Sequence, residues 1–98
     1  MKISEIRDGM RKVEVVGRVT DKPEPREVTL RTMQKARVAD LTIADDTGKI
    51  KLTLWDDQID KVDLEEIVKI ENGYVNSYKG EIRLNVGRYG TMEIIEKE

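Results

Sequence analysis

Residues 45–55, Asp-Asp-Thr-Gly-Lys-Ile-Lys-Leu-Thr-Leu-Trp, read as a tight turn feeding one strand with two unlike faces. Side chains alternate along a strand, so Ile50, Leu52 and Leu54 point one way while Lys49, Lys51, Thr53 and Trp55 point the other. The only tryptophan therefore shares a polar face with two lysines. Indoles are mostly buried, and one displayed among cations suits a surface that stacks on something flat and negatively charged, such as a nucleic-acid base on its backbone.

The rest of the chain narrows the alternatives by what it lacks. Cysteine and histidine are both absent, which excludes disulfides, thiol nucleophiles, imidazole acid–base chemistry and Cys/His zinc sites. No catalysis and no cofactor are expected. The pair Asp45-Asp46 fits a turn and Asp56-Asp57 fits a helix cap, with no spacing of a calcium loop or a two-metal site. No Gly-rich phosphate-cradling motif is present either. The N-terminus lacks the apolar run of a signal peptide and no apolar stretch approaches membrane-spanning length, which predicts a soluble, intracellular chain without a membrane partner. With 98 residues, one domain spanning 1–98 and one small core are expected, burying about 60 to 65% of the unfolded surface.

The net charge of -2 counts against a generic nucleic-acid binder, but its distribution matters more than its sum. Residues 1–37 carry ten Lys/Arg against six Asp/Glu, and residues 38–98 carry eight against fourteen. Much of the acid falls in residues 56–66, between two strands, where it can face water away from a cationic groove. The aromatic inventory is more informative. There is no Phe, and Trp55, Tyr74, Tyr78 and Tyr89 all lie in the second half, while the candidate core positions are almost all Val, Ile and Leu. The core is thus expected to be aliphatic, which releases Trp55, Tyr74 and Tyr78 for another task; Tyr89 is expected to pack.

Taken in order, residues 2–10 predict a short helical lead-in, with Ser4 as cap, Ile3, Ile6 and Met10 on one face and Gly9 as stop. Residues 11–21 alternate as a strand whose central Gly17 implies a bulge or sharp coil, so that it can serve two sheets. Pro23 and Pro25 interrupt pairing, residues 27–32 resume it, and 31–34 form the tip of a hairpin arm. Strands follow at 36–44, 49–55, 66–77 and 81–87, with a capped helical turn after Asp56 that turns Ile59, Val62 and Leu64 to the core, and a short closing strand around Met92, Ile94 and Ile95. Tyr74, Asn76 and Tyr78 share one face of the fourth main strand, and Lys79-Gly80 turns into the fifth. Five short strands, a coiled first one and a helical segment between the third and fourth are the plan of an all-β OB-fold, a five-stranded Greek-key barrel.

Ile43-Ala44-Asp45-Asp46-Thr47-Gly48-Lys49-Ile50, Leu54-Trp55-Asp56, Ile70-Glu71-Asn72-Gly73-Tyr74 and Tyr78-Lys79-Gly80 together resemble the single-stranded DNA-binding OB-fold of archaeal SSB and replication protein A, and of the ssDNA-binding subunit of the human SOSS complex. The resemblance runs from Ile3 to about Ile95. It implies base stacking on Trp55, Tyr74 and Tyr78, and phosphate contacts from Lys79 and Arg88. Asn85 stands where some members place a further aromatic, and the tip Arg31-Thr32-Met33-Gln34 lacks the Asp-Gly turn of relatives. Lys49, Lys51 and Arg83 join the candidate site by their outward facing, as does Arg37 on the neighbouring strand, whose direction a bulge near Ala39-Asp40 would invert. The expected function is binding of single-stranded DNA with little sequence specificity in replication and repair, by a nucleoid-associated cytoplasmic protein that is monomeric in isolation. An RNA or tRNA ligand, and an interaction module for other OB-fold subunits or replication and repair proteins, stay open as alternatives.

Overall fold

The computed structural model describes residues 1–87 and 89–96. After a 3-10 turn at Ile3–Glu5 come β1 (Val13–Asp21), β2 (Arg26–Thr29), β3 (Lys35–Asp45), β4 (Gly48–Trp55), helix α1 (Asp57–Asp60), β5 (Ile67–Tyr78), β6 (Glu81–Asn85) and β7 (Thr91–Glu96). Strand order is β1-β3-β4-β6-β5, and β1 also pairs with β5, so the five principal strands close on themselves. Closure leaves those strands without an unpaired edge. All the pairings are antiparallel except β4 with β6, which is parallel. This is the OB-fold barrel, with β2 as the arm on β3 and β7 as the closing strand on β5.

Alternation builds the interior. Val13, Val15 and Val19 of β1, Ala39, Leu41 and Ile43 of β3, Ile50, Leu52 and Leu54 of β4, Val68, Ile70 and Val75 of β5, and Leu84 of β6 meet in one core. Each such Val, Leu or Ile contributes about 1.5 to 3 kcal/mol when fully withdrawn from water. The buried hydrophobic residues include no aromatic ring among the described residues, so the aliphatic core is as expected. Gly17 lets β1 bend against β3: a Cβ there would stand 3.2 Å from both the Ala44 carbonyl oxygen and Ile43 Cβ. The bend allows β1 to pair with β3 through Arg18–Asp21 and with β5 through Val13–Arg18.

Local readings differ from the fold at four places. The lead-in is one 3-10 turn instead of a helix over 2–10, and Ser4 does not cap it. Tertiary partners take the backbone donors instead: Ile3 N–H donates to Asp45 Oδ2 at 2.9 Å and Ser4 N–H to Thr47 Oγ1 at 3.1 Å. Ile3 and Ile6 still plug the barrel end, with Met10 packed beside them. The Asp56 side chain does not cap α1; its Oδ1 accepts the Arg37 backbone N–H at 2.9 Å. Leu64 remains 49% exposed because the loop after Val62 turns outward, and Tyr89, expected to pack, is 78% exposed.

Candidate nucleic-acid interface

The strand registers lay the outward side chains of β3, β4, β6 and β5 out as a grid. Val38 stands opposite Trp55, and Asp40 opposite Thr53. Thr53 then aligns with Asn85, which aligns with Tyr74, while Lys51 aligns with Arg83, which aligns with Asn76. Tyr78 pairs with Glu81 at the end of the β5–β6 hairpin. Residues on two strands that are far apart in sequence thus share one face because β6 inserts between β4 and β5. Trp55, Tyr74 and Tyr78 all lie on this face and are 40%, 43% and 55% exposed. The two tyrosines are four positions apart, roughly 13 Å along the strand.

The ground between the rings is polar and largely buried. Thr53 and Asn85 are buried. Thr53 Oγ1 donates to Asp40 Oδ1 at 2.7 Å, and Asn85 Nδ2 donates to Asn76 Oδ1 at 3.2 Å and to the Arg83 carbonyl at 3.3 Å. Two clefts flank this floor. One, of about 230 Å³, lies between Trp55 and Tyr74 over Thr53, Gln58, Asn85 and Gly87. The other, of about 270 Å³, runs from Trp55 to Tyr78 past Asp40 and Arg83 and is bordered by Arg26 and Val28 of the arm.

Gly87 holds the Tyr74 ring in place by having no side chain. Its φ is +76°, and a Cβ would lie 2.8 and 2.9 Å from Tyr74 Cε1 and Cδ1. The ring therefore lies directly on the Gly87 backbone. At the other end of the face, Tyr78 carries two cations: the Arg83 guanidinium 5.0 Å and the Lys79 ammonium 5.4 Å from the ring centroid. Lys79 itself takes a positive φ of 52° and Gly80 one of 81°, the tight hairpin geometry that presents both Tyr78 and Lys79 at the rim.

The cations do not all gather round the rings. Arg83 Nη1 donates to Asp40 Oδ2 at 3.0 Å, an ion pair whose side chains are 21% and 18% exposed, and Arg26 approaches the same oxygen at 3.8 Å. Asp40 thus places a carboxylate at the centre of the face and two guanidinium groups neutralise it. Lys51 Nζ donates to Thr42 Oγ1 at 3.3 Å. Lys49 lies two residues further from Trp55, and with Lys51 and Glu81 it borders a separate groove nearer the Tyr78 end. Arg37 leaves the face altogether. The β3–β4 register runs without a bulge, so Arg37 points opposite to Val38 and reaches α1, where Nη2 donates to Asp60 Oδ2 at 2.9 Å. That hydrogen bond, with the attraction of the carboxylate, holds Arg37 above its ordinary pKa and Asp60 below its own. Arg88 lies outside the described residues.

Sequence reasoning did not single out Asp40, Gln58, Gly87 or Arg26, which complete the face. Asp40 could have been found from its register opposite Thr53; Gln58, whose Oε1 accepts the Trp55 backbone N–H at 3.2 Å, carries no signal beyond its nearness to Trp55. Among the described residues no three carboxylates gather as a metal site. The arrangement is one of flat rings beside a hydrogen-bonding floor, with cations at one end. It can stack planar groups and meet anions at the rim.

Comparison with known proteins identifies the family and the fold. The chain is 30% identical over 86 residues to the single-stranded DNA binding protein Ssb of Saccharolobus solfataricus, an alignment covering 88% of this chain and 57% of that protein. It is 37% identical over 92 residues to replication factor A of Methanothermobacter thermautotrophicus, covering 90% of this chain and 12% of the relative. The chain thus spans little more than half of the one relative and about an eighth of the other. The second OB-fold domain of replication protein A from Methanococcus maripaludis superimposes with a TM-score of 0.79 at 27% identity, over 100% of this chain and 96% of that domain. A family model described as single-stranded DNA binding protein Ssb-like, OB fold, matches residues 8–94, and the chain accordingly belongs to the Ssb-like OB-fold family.

Proposed function

We propose that this chain binds single-stranded DNA with little sequence preference, stacking bases on Trp55, Tyr74 and Tyr78 while Lys79 and other rim cations meet the phosphates, and that it serves DNA replication and repair as a non-catalytic module. The observation that carries the reading is the placement of the three rings, each at least 40% exposed, on one face around a polar floor. An aromatic side chain has little reason to be left in water by a chain with so few of them, and every base offers a π-face for it to cover. Each stacked base contributes about 1 to 3 kcal/mol. Duplex DNA hides those faces, which gives the preference for unpaired strands. The names of the relatives, a single-stranded DNA binding protein and a replication factor, point the same way.

The net charge of -2 is compatible with this because the acid is kept off the platform or neutralised on it. Asp60 is turned to Arg37, and Asp40 is matched by Arg83 and Arg26. The test is quenching of Trp55, the only tryptophan, by oligo-dT. Quenching that saturates, competes with unlabelled single strands but not with duplex, and weakens with salt at a log-log slope of about -0.7 per phosphate contacted supports the reading. Unchanged fluorescence together with no retention of oligo-dT refutes it.

A further inference from the structure

The two ends of the face differ in chemistry, and the difference assigns them different tasks. At the Tyr78 end the ring is flanked by Arg83, which is paired with Asp40, and by Lys79 at the rim, a group that attracts any phosphate and distinguishes no base. Between Trp55 and Tyr74 the cleft is lined instead by amides, Asn85 and Gln58. Backbone partners fix the orientation of both. The Asn85 Nδ2 donates to the Arg83 carbonyl and to Asn76 Oδ1, which uses both of its hydrogens and leaves Oδ1 as an acceptor without a partner among the described residues. Gln58 Oε1 accepts the Trp55 backbone N–H, which leaves Nε2 as a donor, likewise without a partner among the described residues. Both amides line the cleft between the two rings, Asn85 bordering the neighbouring cleft as well, and each has one hydrogen-bonding atom left over, an acceptor on Asn85 and a donor on Gln58.

We infer that Asn85 and Gln58 form an edge-reading subsite, in which a base held between Trp55 and Tyr74 donates to Asn85 Oδ1 and accepts from Gln58 Nε2. This rests on the single-strand reading above and deepens it. Every base carries at least one N–H donor and one acceptor on its Watson–Crick edge, so the pair recognises that an edge is free more than which base bears it. Thymine meets it with N3–H and a carbonyl oxygen, cytosine with its N4 amino group and N3. The subsite thus selects an unpaired base by a second criterion besides its exposed π-face, and it does so without making the protein sequence-specific.

Trp55 quenching compares oligo-dT with an oligonucleotide of the same length whose thymines are methylated at N3. Methylation keeps the ring and the phosphates and removes the donor. The expected result is a preference for the unmodified strand of about 2- to 12-fold, the worth of one hydrogen bond, falling toward one in Asn85→Ala. Gln58→Glu keeps the acceptor for the Trp55 N–H and replaces the donor by a second acceptor. It should raise the affinity of an oligo-dT strand carrying one guanine relative to the all-thymine strand by a similar factor, because guanine presents two adjacent donors, N1–H and its amino group, to the two acceptors where thymine presents only N3–H. Both readouts are ratios on one protein, so altered overall charge cancels. Should Asn85→Ala melt early, Gln58→Glu carries the test alone. Equal affinity of the wild-type protein for methylated and unmethylated strands overturns the inference, as do ratios unmoved by both substitutions. Failure of oligo-dT itself to bind removes the single-strand reading, and this inference with it.

Discussion

Gly87→Ala separates the positioning of a ring from the ring itself. Two costs can be worked from the geometry. The backbone at Gly87 has φ +76°, where an L side chain is disfavoured by about 1 to 2 kcal/mol. For a domain of this size that lowers the melting temperature by about 4 to 16 °C. The added methyl would also stand 2.8 Å from Tyr74 Cε1, so the ring must leave its seat. If Tyr74 stacks a base, its displacement loses up to the worth of one stack, about 1 to 3 kcal/mol, or roughly 5- to 150-fold in affinity. The assay is Trp55 quenching by oligo-dT alongside thermal melting, run on Gly87→Ala, Tyr74→Ala and the double variant. Since Gly87 would act on DNA only through the ring, adding Gly87→Ala to Tyr74→Ala should change affinity by no more than about 0.5 kcal/mol, the usual limit for independent sites. The melting penalty from the backbone should persist in both backgrounds. An undiminished loss of affinity in the Tyr74→Ala background, or full affinity of Gly87→Ala alone, refutes the reasoning.

Other expectations test the scaffold and the rim. Asp45 is held down from 3.8 to about 2, first by the Thr47 hydroxyl and then by the Ile3 N–H; a carboxylate depressed in the folded state contributes stability present above about pH 4 and lost as pH falls through 2. Urea unfolding should show the wild-type midpoint dropping over that window, with Asp45→Asn less stable at neutral pH and flatter below pH 4; equal midpoints at neutral pH would contradict the anchoring of the N-terminal turn. At Gly73 a Cβ would meet the Asn85 carbonyl oxygen at 2.9 Å, a backbone atom that cannot swing aside, so Gly73→Ala should cost about 1 to 3 kcal/mol by urea unfolding, and a neutral result would mean β5 and β6 are less closely paired. Lys79→Gln should lower the salt slope of oligo-dT binding by about 0.7 while leaving the order of preference among bases intact; an unchanged slope would remove Lys79 from the phosphate path.

Much of the barrel was present in the order of residues because strand alternation is local. The Cβ direction reverses at every residue, so Leu52 inside requires Thr53 outside, and Trp55 follows Thr53 without any knowledge of the neighbours. The same argument puts Tyr74, Asn76 and Tyr78 together on β5. Turn chemistry is local as well: Asp45-Asp46-Thr47-Gly48 closes β3 onto β4 through hydrogen bonds to one Asp45 oxygen. The absence of aromatics from the core could be expected from composition, since the aliphatic alternation already filled it.

Tertiary structure alone decided which of these faces became one face. Trp55 and Tyr74 come from strands that do not pair with each other, and they share a cleft only because β6 lies between, parallel to β4 and antiparallel to β5. Charge partners depended on the same long-range register. Arg83 is taken by Asp40, 43 residues away, and Arg37 by Asp60 on the opposite side. Neither could be assigned from spacing, because a long charged side chain goes to whichever counter-charge the sheet brings within reach. Tyr89 and Leu64 escaped prediction for a related reason: an apolar side chain in a loop is buried only if the tertiary fold covers it, and both of these stay exposed. Local alternation set which way each side chain points along its own strand, while closure of the barrel determined what each of them meets.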